Sequence, residues 1–295
     1  MPPFRCPIWL IDSFTDAPFK GNPAGVCLVD AFPSDAVMQQ IAFEVHWSET
    51  AFIHRIGEAG NRFRIRWFSP LDEAPICGHA TLAAMHFLCE NGTLAGDQAI
   101  FESRAGELRT IKKHNKITMD FPILRITPCT NKEHIDLLAK ILDTQNILEV
   151  YKDALIYIVV LARERDVLAC EPDLELLKTM DCRAVAITAE SDMHACQQGS
   201  NQSINQYSTA ASLEKKYDFV SRYFAPKVGI PEDPVCGSSY CRLAPLWGQI
   251  FKQKEMRARQ LSSRDGYVDV LYNELDNTVA ISGEARTVLK GEIYI

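Results

Sequence analysis

A chain of 295 residues is longer than one hydrophobic core usually supports and suits two domains. Hydrophobic residues at 47% and charged residues at 23% exclude a disordered or fibrous chain, and a net charge of −7 gives no field that would draw nucleic acid or acidic membranes. No apolar run approaches the roughly 18 residues of a membrane span and no signal-peptide pattern opens the chain, so the expectation is a cytoplasmic protein with neither nucleic-acid nor membrane partner.

In chain order, residues 8–14 read as a strand, 16–24 as a turn-rich loop containing Lys20-Gly21-Asn22-Pro23, and 26–29 as a second strand. Ser34 is a good N-cap for a helix over 35–45, whose apolar face carries Val37, Met38, Ile41, Ala42 and Val45. Strands follow at 50–54 and 63–68. Residues 81–88 are apolar on most sides, which marks a helix buried all round, stopped at Asn91-Gly92. Three strands then follow at 100–102, 107–112 and 116–121. The second half repeats this plan, with strands at 156–161, 184–188 and 219–224, a helix at 174–180, a buried helix at 240–251, and closing strands at 257–261, 267–272 and 278–282. The Ser/Asn/Gln-rich stretch 197–212 reads as a surface insertion loop. Ten cysteines scattered through apolar segments, with no secretory signal, read as reduced and mostly buried thiols.

The repetition reaches individual residues. Arg66-Trp67-Phe68-Ser69-Pro70, Pro75-Ile76-Cys77-Gly78-His79 and Ser103-Arg104-Ala105-Gly106 recur as Arg222-Tyr223-Phe224-Ala225-Pro226, Pro234-Val235-Cys236-Gly237-Ser238 and Ser263-Arg264-Asp265-Gly266. The spacing between copies is 156 residues from Arg66 to Arg222, 159 from Cys77 to Cys236 and 160 from Gly106 to Gly266, the drift marking a slightly longer loop in the second copy. Ordered matches of this kind argue for a duplicated unit whose copies face one another across a pseudo-twofold cleft.

Each Cys-Gly pair stands just before its buried helix. Glycine lets a ligand approach the backbone, and the free N–H groups of a helix start attract carboxylates and enolate-like charge. The same position is expected to lower a thiol pKa, which makes Cys77 and Cys236 candidate proton-transfer groups. Cys241 has no counterpart in the first copy and reads as core. The nearest zinc-like grouping, Cys77 and His79 with Cys236 and Cys241, has no CxxC and no histidine pair at ligand spacing, so no metal site is expected. Glu49 opens the apolar run Thr50-Ala51-Phe52-Ile53, where desolvation would raise its pKa toward a useful range.

Taken together, Asp12-Ser-Phe-Thr-Asp, Gly21-Asn-Pro-Ala-Gly, Trp47-Ser-Glu-Thr-Ala-Phe, Arg66-Trp-Phe-Ser-Pro, Cys77-Gly-His-Ala-Thr, Asp218-Phe-Val-Ser-Arg-Tyr-Phe-Ala-Pro and Glu232-Asp-Pro-Val-Cys-Gly-Ser-Ser resemble the PhzF-like (phenazine biosynthesis) isomerase family of the diaminopimelate epimerase superfamily. The resemblance spans nearly the whole chain. It implies an α+β fold of two pseudo-symmetric domains, each a mostly antiparallel β-barrel around a central helix, with residues 1–121 and a C-terminal strand near 285–295 forming the first and 122–284 the second. It also implies a homodimer, no cofactor, and a small carboxylate substrate held in the interdomain cleft. By motif position Glu49 would move the proton, His79, Asp233 and Ser238 would assist relay and placement, and Asn22, Gly78 and Gly237 would line the substrate. One position departs from the pattern: such sequences usually carry threonine where this chain has Cys236, whereas the racemases of the superfamily carry both cysteines. Three readings therefore stand: isomerisation driven by Glu49, inversion by the thiols of Cys77 and Cys236, or a non-catalytic ligand-binding protein.

Overall fold

A computed structural model describes residues 5–57, 60–197 and 216–294. The elements in chain order are β1 (Arg5–Ser13), β2 (Asn22–Val29), α1 (Asp35–Val45), β3 (Glu49–Ile56), β4 (Arg62–Phe68), β5 (Glu73–Ala74), α2 (Gly78–Glu90), β6 (Gln98–Ser103), β7 (Gly106–Lys113) and β8 (Lys116–Pro122). They continue as β9 (Thr127–Pro128), α3 (Lys132–Ile141), β10 (Ile147–Lys152), β11 (Ile156–Leu161), α4 (Glu164–Leu168), α5 (Leu174–Leu177), β12 (Ala184–Glu190), α6 (Asp192–Gln197), β13 (Phe219–Phe224), α7 (Tyr240–Phe251), β14 (Glu255–Gln260), β15 (Gly266–Asn273), β16 (Thr278–Gly283) and β17 (Ala285–Tyr294). Two compact units result. The first comprises Met1–Pro122, Cys236–Tyr240 and Leu275–Ile295, and the second Ile123–Val235 and Cys241–Glu274.

In the first unit hydrogen bonding runs β17-β1-β2-β3-β4-β6-β7-β8-β16, with β5 as a second neighbour of β4. The pairs β2–β3 and β4–β6 are parallel and the others antiparallel, because α1 and α2 serve as the crossovers that parallel neighbours need. Helix α2 touches β17, β1 and β2 near one end of this order and β7 and β8 near the other, so the sheet curls round it. That encirclement explains why Ala80 to Met85, Phe87 and Leu88 are all buried. Outside the sheet, α1 starts at Ser34, whose hydroxyl accepts the Val37 N–H, and lays Met38, Ile41 and Ala42 on Cys27, Phe52 and Phe68.

The second unit has the order β9-β10-β11-β12-β13-β14-β15, again with two parallel pairs, β11–β12 and β13–β14. Strand β12 is buried on both faces. Val185, Ile187 and Ala189 pack with Leu138 and Ile141 of α3, Val167 of α4 and Leu177 of α5. Between them Thr188 accepts a hydrogen bond from the Trp247 indole of α7, whose ring stacks on Phe219 at 5.7 Å. Pro245 cannot donate to the carbonyl four residues earlier, and that Cys241 oxygen takes the Leu124 N–H instead at 3.0 Å.

Some sequence expectations are corrected. The strand expected at 278–282 in the second half spans Thr278–Gly283, pairs in register with β8 from Thr278–Pro122 to Gly283–Ile117 and belongs to the first unit, as do residues 236–240. β2 begins at Asn22, inside the expected loop, because Ser13 on β1 pairs with it. α3 and β10 were not foreseen. The expected insertion loop, 197–212, lies outside the described residues from 198 onward. All cysteines among the described residues are free thiols, and no described helix is long and apolar enough to cross a membrane.

Candidate active site

Four of the expected groups, Asn22, Glu49, Cys77 and His79, converge within the first unit. The parallel pairing of β2 and β3 sets Ala24 opposite Glu49, which places Asn22 and Glu49 at neighbouring strand ends. Cys77 is the N-cap of α2 and His79 lies in its first turn. The Glu49 carboxylate stands 3.0 Å from His79 Nε2, and both side chains are largely withdrawn from solvent, 13% and 7% exposed. The other ring nitrogen, Nδ1, has two neighbours: the Asn22 amide Nδ2 at 3.2 Å and the Cys77 sulfur at 3.5 Å. A neutral imidazole accepts from Asn22 at Nδ1 and donates from Nε2 to Glu49. A protonated one donates from both nitrogens, to Cys77 sulfur and to Glu49. The proton's position thus selects the partner.

Burial disfavours charge on His79, yet the Cys77 sulfur and the Glu49 carboxylate beside it outweigh that effect and hold its pKa well above the ordinary histidine value. Cys77 goes the other way from the sequence expectation. Burial pushes its thiol up and the Glu49 charge adds to this, overcoming the opposing pull of His79 and of the Ala80 N–H at the helix start. A helix N-terminus lowers a thiol pKa only where desolvation does not exceed it.

Two residues absent from the sequence-based site fix its geometry. Ser13 Oγ donates to the His79 carbonyl at 2.8 Å, and Thr81 Oγ1 donates to the Cys77 carbonyl at 2.6 Å. Both lock the backbone of the Cys-Gly-His turn. Ser13 was visible only as part of a motif, since its partner lies 66 residues away.

In the second motif copy Cys236, like Cys77, lies next to the side chain two residues on: Sγ is 3.4 Å from Ser238 Oγ. Gly237 packs on Gly78, where a built Cβ would meet the Gly237 Cα at 3.8 Å, and on the ring of Phe14. Phe14 is fully buried with a left-handed φ of 63°, a conformation costly for a bulky residue and frequent at sites that need a fixed shape. Gly283 makes room for it, because a Cβ there would lie 2.5 Å from the ring. Asp233 belongs to the second unit. Its N–H bonds to the Tyr223 carbonyl, its own carbonyl accepts from Gln260, and its carboxylate accepts the Val235 N–H at 3.2 Å.

Of the zinc-like grouping considered from sequence, Cys241 is a core thiol whose pKa burial pushes up to about 12. A different set could hold a metal: a Glu49 oxygen, the Cys77 sulfur and a His79 nitrogen lie within 4.8 Å of one another.

A family model, phenazine biosynthesis-like protein (PhzC-PhzF), matches residues 11–291. The chain belongs to this family. An uncharacterized isomerase of Pseudomonas aeruginosa is 35% identical over 98% of both chains. The crystal structure of a PhzF family protein from Enterococcus faecalis superposes with a TM-score of 0.85 at 34% identity, covering 99% of this chain and 100% of that one. A probable proline racemase from Agrobacterium radiobacter shares the fold, with a TM-score of 0.58 at 10% identity over 98% and 92% of the two chains. The fold is therefore the α+β epimerase-like one, and this PhzC-PhzF member is an isomerase.

Proposed function

We propose that this isomerase moves a proton within a small carboxylate substrate bearing an acidic C–H, without a cofactor, and that Glu49 is the acid/base. The observation carrying this reading is the buried Glu49–His79 contact, with Asn22 on the far side of the imidazole and Ser13 on its backbone. Glu49 takes the proton from one carbon and returns it at the acceptor carbon, while His79 holds the carboxylate in place and shares its charge. The N–H groups of Gly78 and His79, at the start of a 13-residue helix, offer donors to charge developing on the substrate. Gly237 and Ser238 contribute a second small, polar wall, and Asp233 assists in placing the substrate. The working form is a cytoplasmic homodimer.

The two-thiol inversion by Cys77 and Cys236 is the alternative, and the packing of Gly78 on Gly237 favours it by drawing the two cysteine turns together. The upward push on the Cys77 thiol weakens it.

The test is C–H exchange with solvent deuterium, followed by NMR across a panel of small amino and unsaturated carboxylates. Glu49→Gln is expected to lower exchange on the order of a hundredfold to ten-thousandfold, with Cys236→Thr nearly silent. The reverse result replaces Glu49 with the thiol pair. Loss in neither variant removes both and leaves a ligand-binding protein.

A further inference from the structure

We propose that Glu49, Cys77 and His79 form a binding site for a zinc-type divalent cation, with three protein ligands and the fourth position open. The donor set is one carboxylate oxygen, one thiolate sulfur and one imidazole nitrogen, the three ligand types that borderline-soft zinc accepts together. The spacing agrees with the chemistry. Zinc bonds of about 2.0–2.3 Å in a tetrahedron put ligand atoms roughly 3.3–3.6 Å apart. His79 Nε2 lies 3.0 Å from Glu49 Oε2 and 3.9 Å from Cys77 Sγ, and all three donors lie within 4.8 Å of one another, so binding must draw them together. Small turns of the Glu49 and Cys77 side chains close the difference while the helix backbone stays put.

The surroundings supply what a zinc site needs beyond its ligands. The Asn22 amide sits on His79 Nδ1, the nitrogen left over when Nε2 binds metal, and fixes the ring orientation once its oxygen faces the Nδ1–H. Ser13 and Thr81 pin the carbonyls of His79 and Cys77, so two of the three ligands come from a rigid turn. On binding, the Cys77 thiol proton and the His79 Nε2 proton both leave to solvent, and the sulfur and the nitrogen lone pair take their places on the metal. Glu49 is then a ligand and unavailable for proton traffic, which makes the ion an occupant that opposes turnover. The binding claim does not depend on the catalytic reading, since it rests on donor identity and distance alone. The second motif copy is an internal control. At the corresponding places it has Cys236 and Ser238, with no imidazole.

Cobalt(II) is the probe, added to the full-length protein after treatment with a chelator. The expected result is one ion per chain, with a sulfur-to-cobalt charge-transfer band and the intense visible bands of a four-coordinate centre, both displaced by zinc. Cys77→Ser should abolish the charge-transfer band, His79→Gln should weaken binding at least tenfold, and Asn22→Ala should weaken it on the order of ten- to hundredfold. Cys236→Thr should leave the spectrum unchanged, and circular dichroism of each variant reports whether it is folded. Should Cys77→Ser prove unfolded, Asn22→Ala and His79→Gln carry the decision. A charge-transfer band that survives Cys77→Ser, one that disappears with Cys236→Thr, or a folded wild-type chain that binds no cobalt at millimolar concentration would each overturn the proposal.

Discussion

The two motif copies share a frame and differ in chemistry. In the first, Thr50 on β3 pairs with Phe68 on β4; in the second, Val185 on β12 pairs with Phe224 on β13. Since Phe68 and Phe224 hold the same place in the repeated motif, the residue before each pairing partner corresponds too, and Glu49 answers to Ala184. Likewise His79 answers to Ser238, while both cysteines are kept. The frame itself is reproduced to the atom. Arg66 makes a two-pronged contact with Glu73 through Nε and Nη2, and Arg222 does the same with Glu232, each guanidinium lying over the phenylalanine two residues on. The three extra residues of the second copy fall between Phe224 and Glu232, where a 3₁₀ turn at Pro226–Val228 takes them up without disturbing the clamp. What both copies keep is the clamp and the cysteine, whereas the Glu49–His79 contact belongs to the first copy alone.

This asymmetry can be broken most directly by activity. Glu49→Gln and His79→Gln, in the first copy, should each lower solvent exchange of a substrate C–H by at least a hundredfold, against less than tenfold for Cys236→Thr or Ser238→Ala. Equal losses from the two copies would show the chemistry to be shared. The frame gives the next largest effect. Glu73→Ala and Glu232→Ala each leave a guanidinium only 13% exposed without its main partner, and each should cost about 2–3 kcal/mol in urea unfolding. A loss in one and not the other would mean that the clamp is a coincidence of sequence.

The smallest effect concerns a pair found in the second copy alone. Asp153 accepts two backbone N–H groups, from Leu155 and Ile156, and pairs with buried Arg242, where the first copy has Gly21 and Ala83. Burial pushes the Asp153 pKa up, but the two N–H groups and Arg242 together bring it below the ordinary carboxylate value. A depressed folded pKa stabilises above the unfolded value and is lost as pH falls through the folded one. Unfolding free energy followed from pH 6 downward should therefore fall less steeply in Asp153→Asn than in the wild type. Identical slopes would remove this pair from the account.

The duplication, the two buried helices and the residue types of the site were legible because each has a local signature: a repeated string, an all-round apolar run, a Cys-Gly turn. α3, by contrast, has a readable apolar period at Ile135, Leu138 and Ile141 behind an Asn131 cap, so its physics does not hide it. The clustering of Asn22, Glu49 and His79 could not be read at all from spacing, because it depends on the parallel register of β2 with β3. The Cys77 thiol was misjudged for a related reason. A helix start is visible in sequence, and the apolar packing that outweighs it is not.

The strand order of the first unit sets when that unit can close during synthesis. β1, near the beginning of the sequence, has β2 on one side and β17, the last strand, on the other. β8 likewise waits for β16. The second unit draws every one of its segments from residues 123–274. During synthesis, therefore, the second unit has all its strands available while the first still lacks both closing strands, and the unit begun first is finished last. The helix that carries Cys77 and His79 gains its contact with β17 only once residues 285–294 have been made. The turn that holds Cys77 and His79 is thus completed only after every segment of the second unit is available to fold.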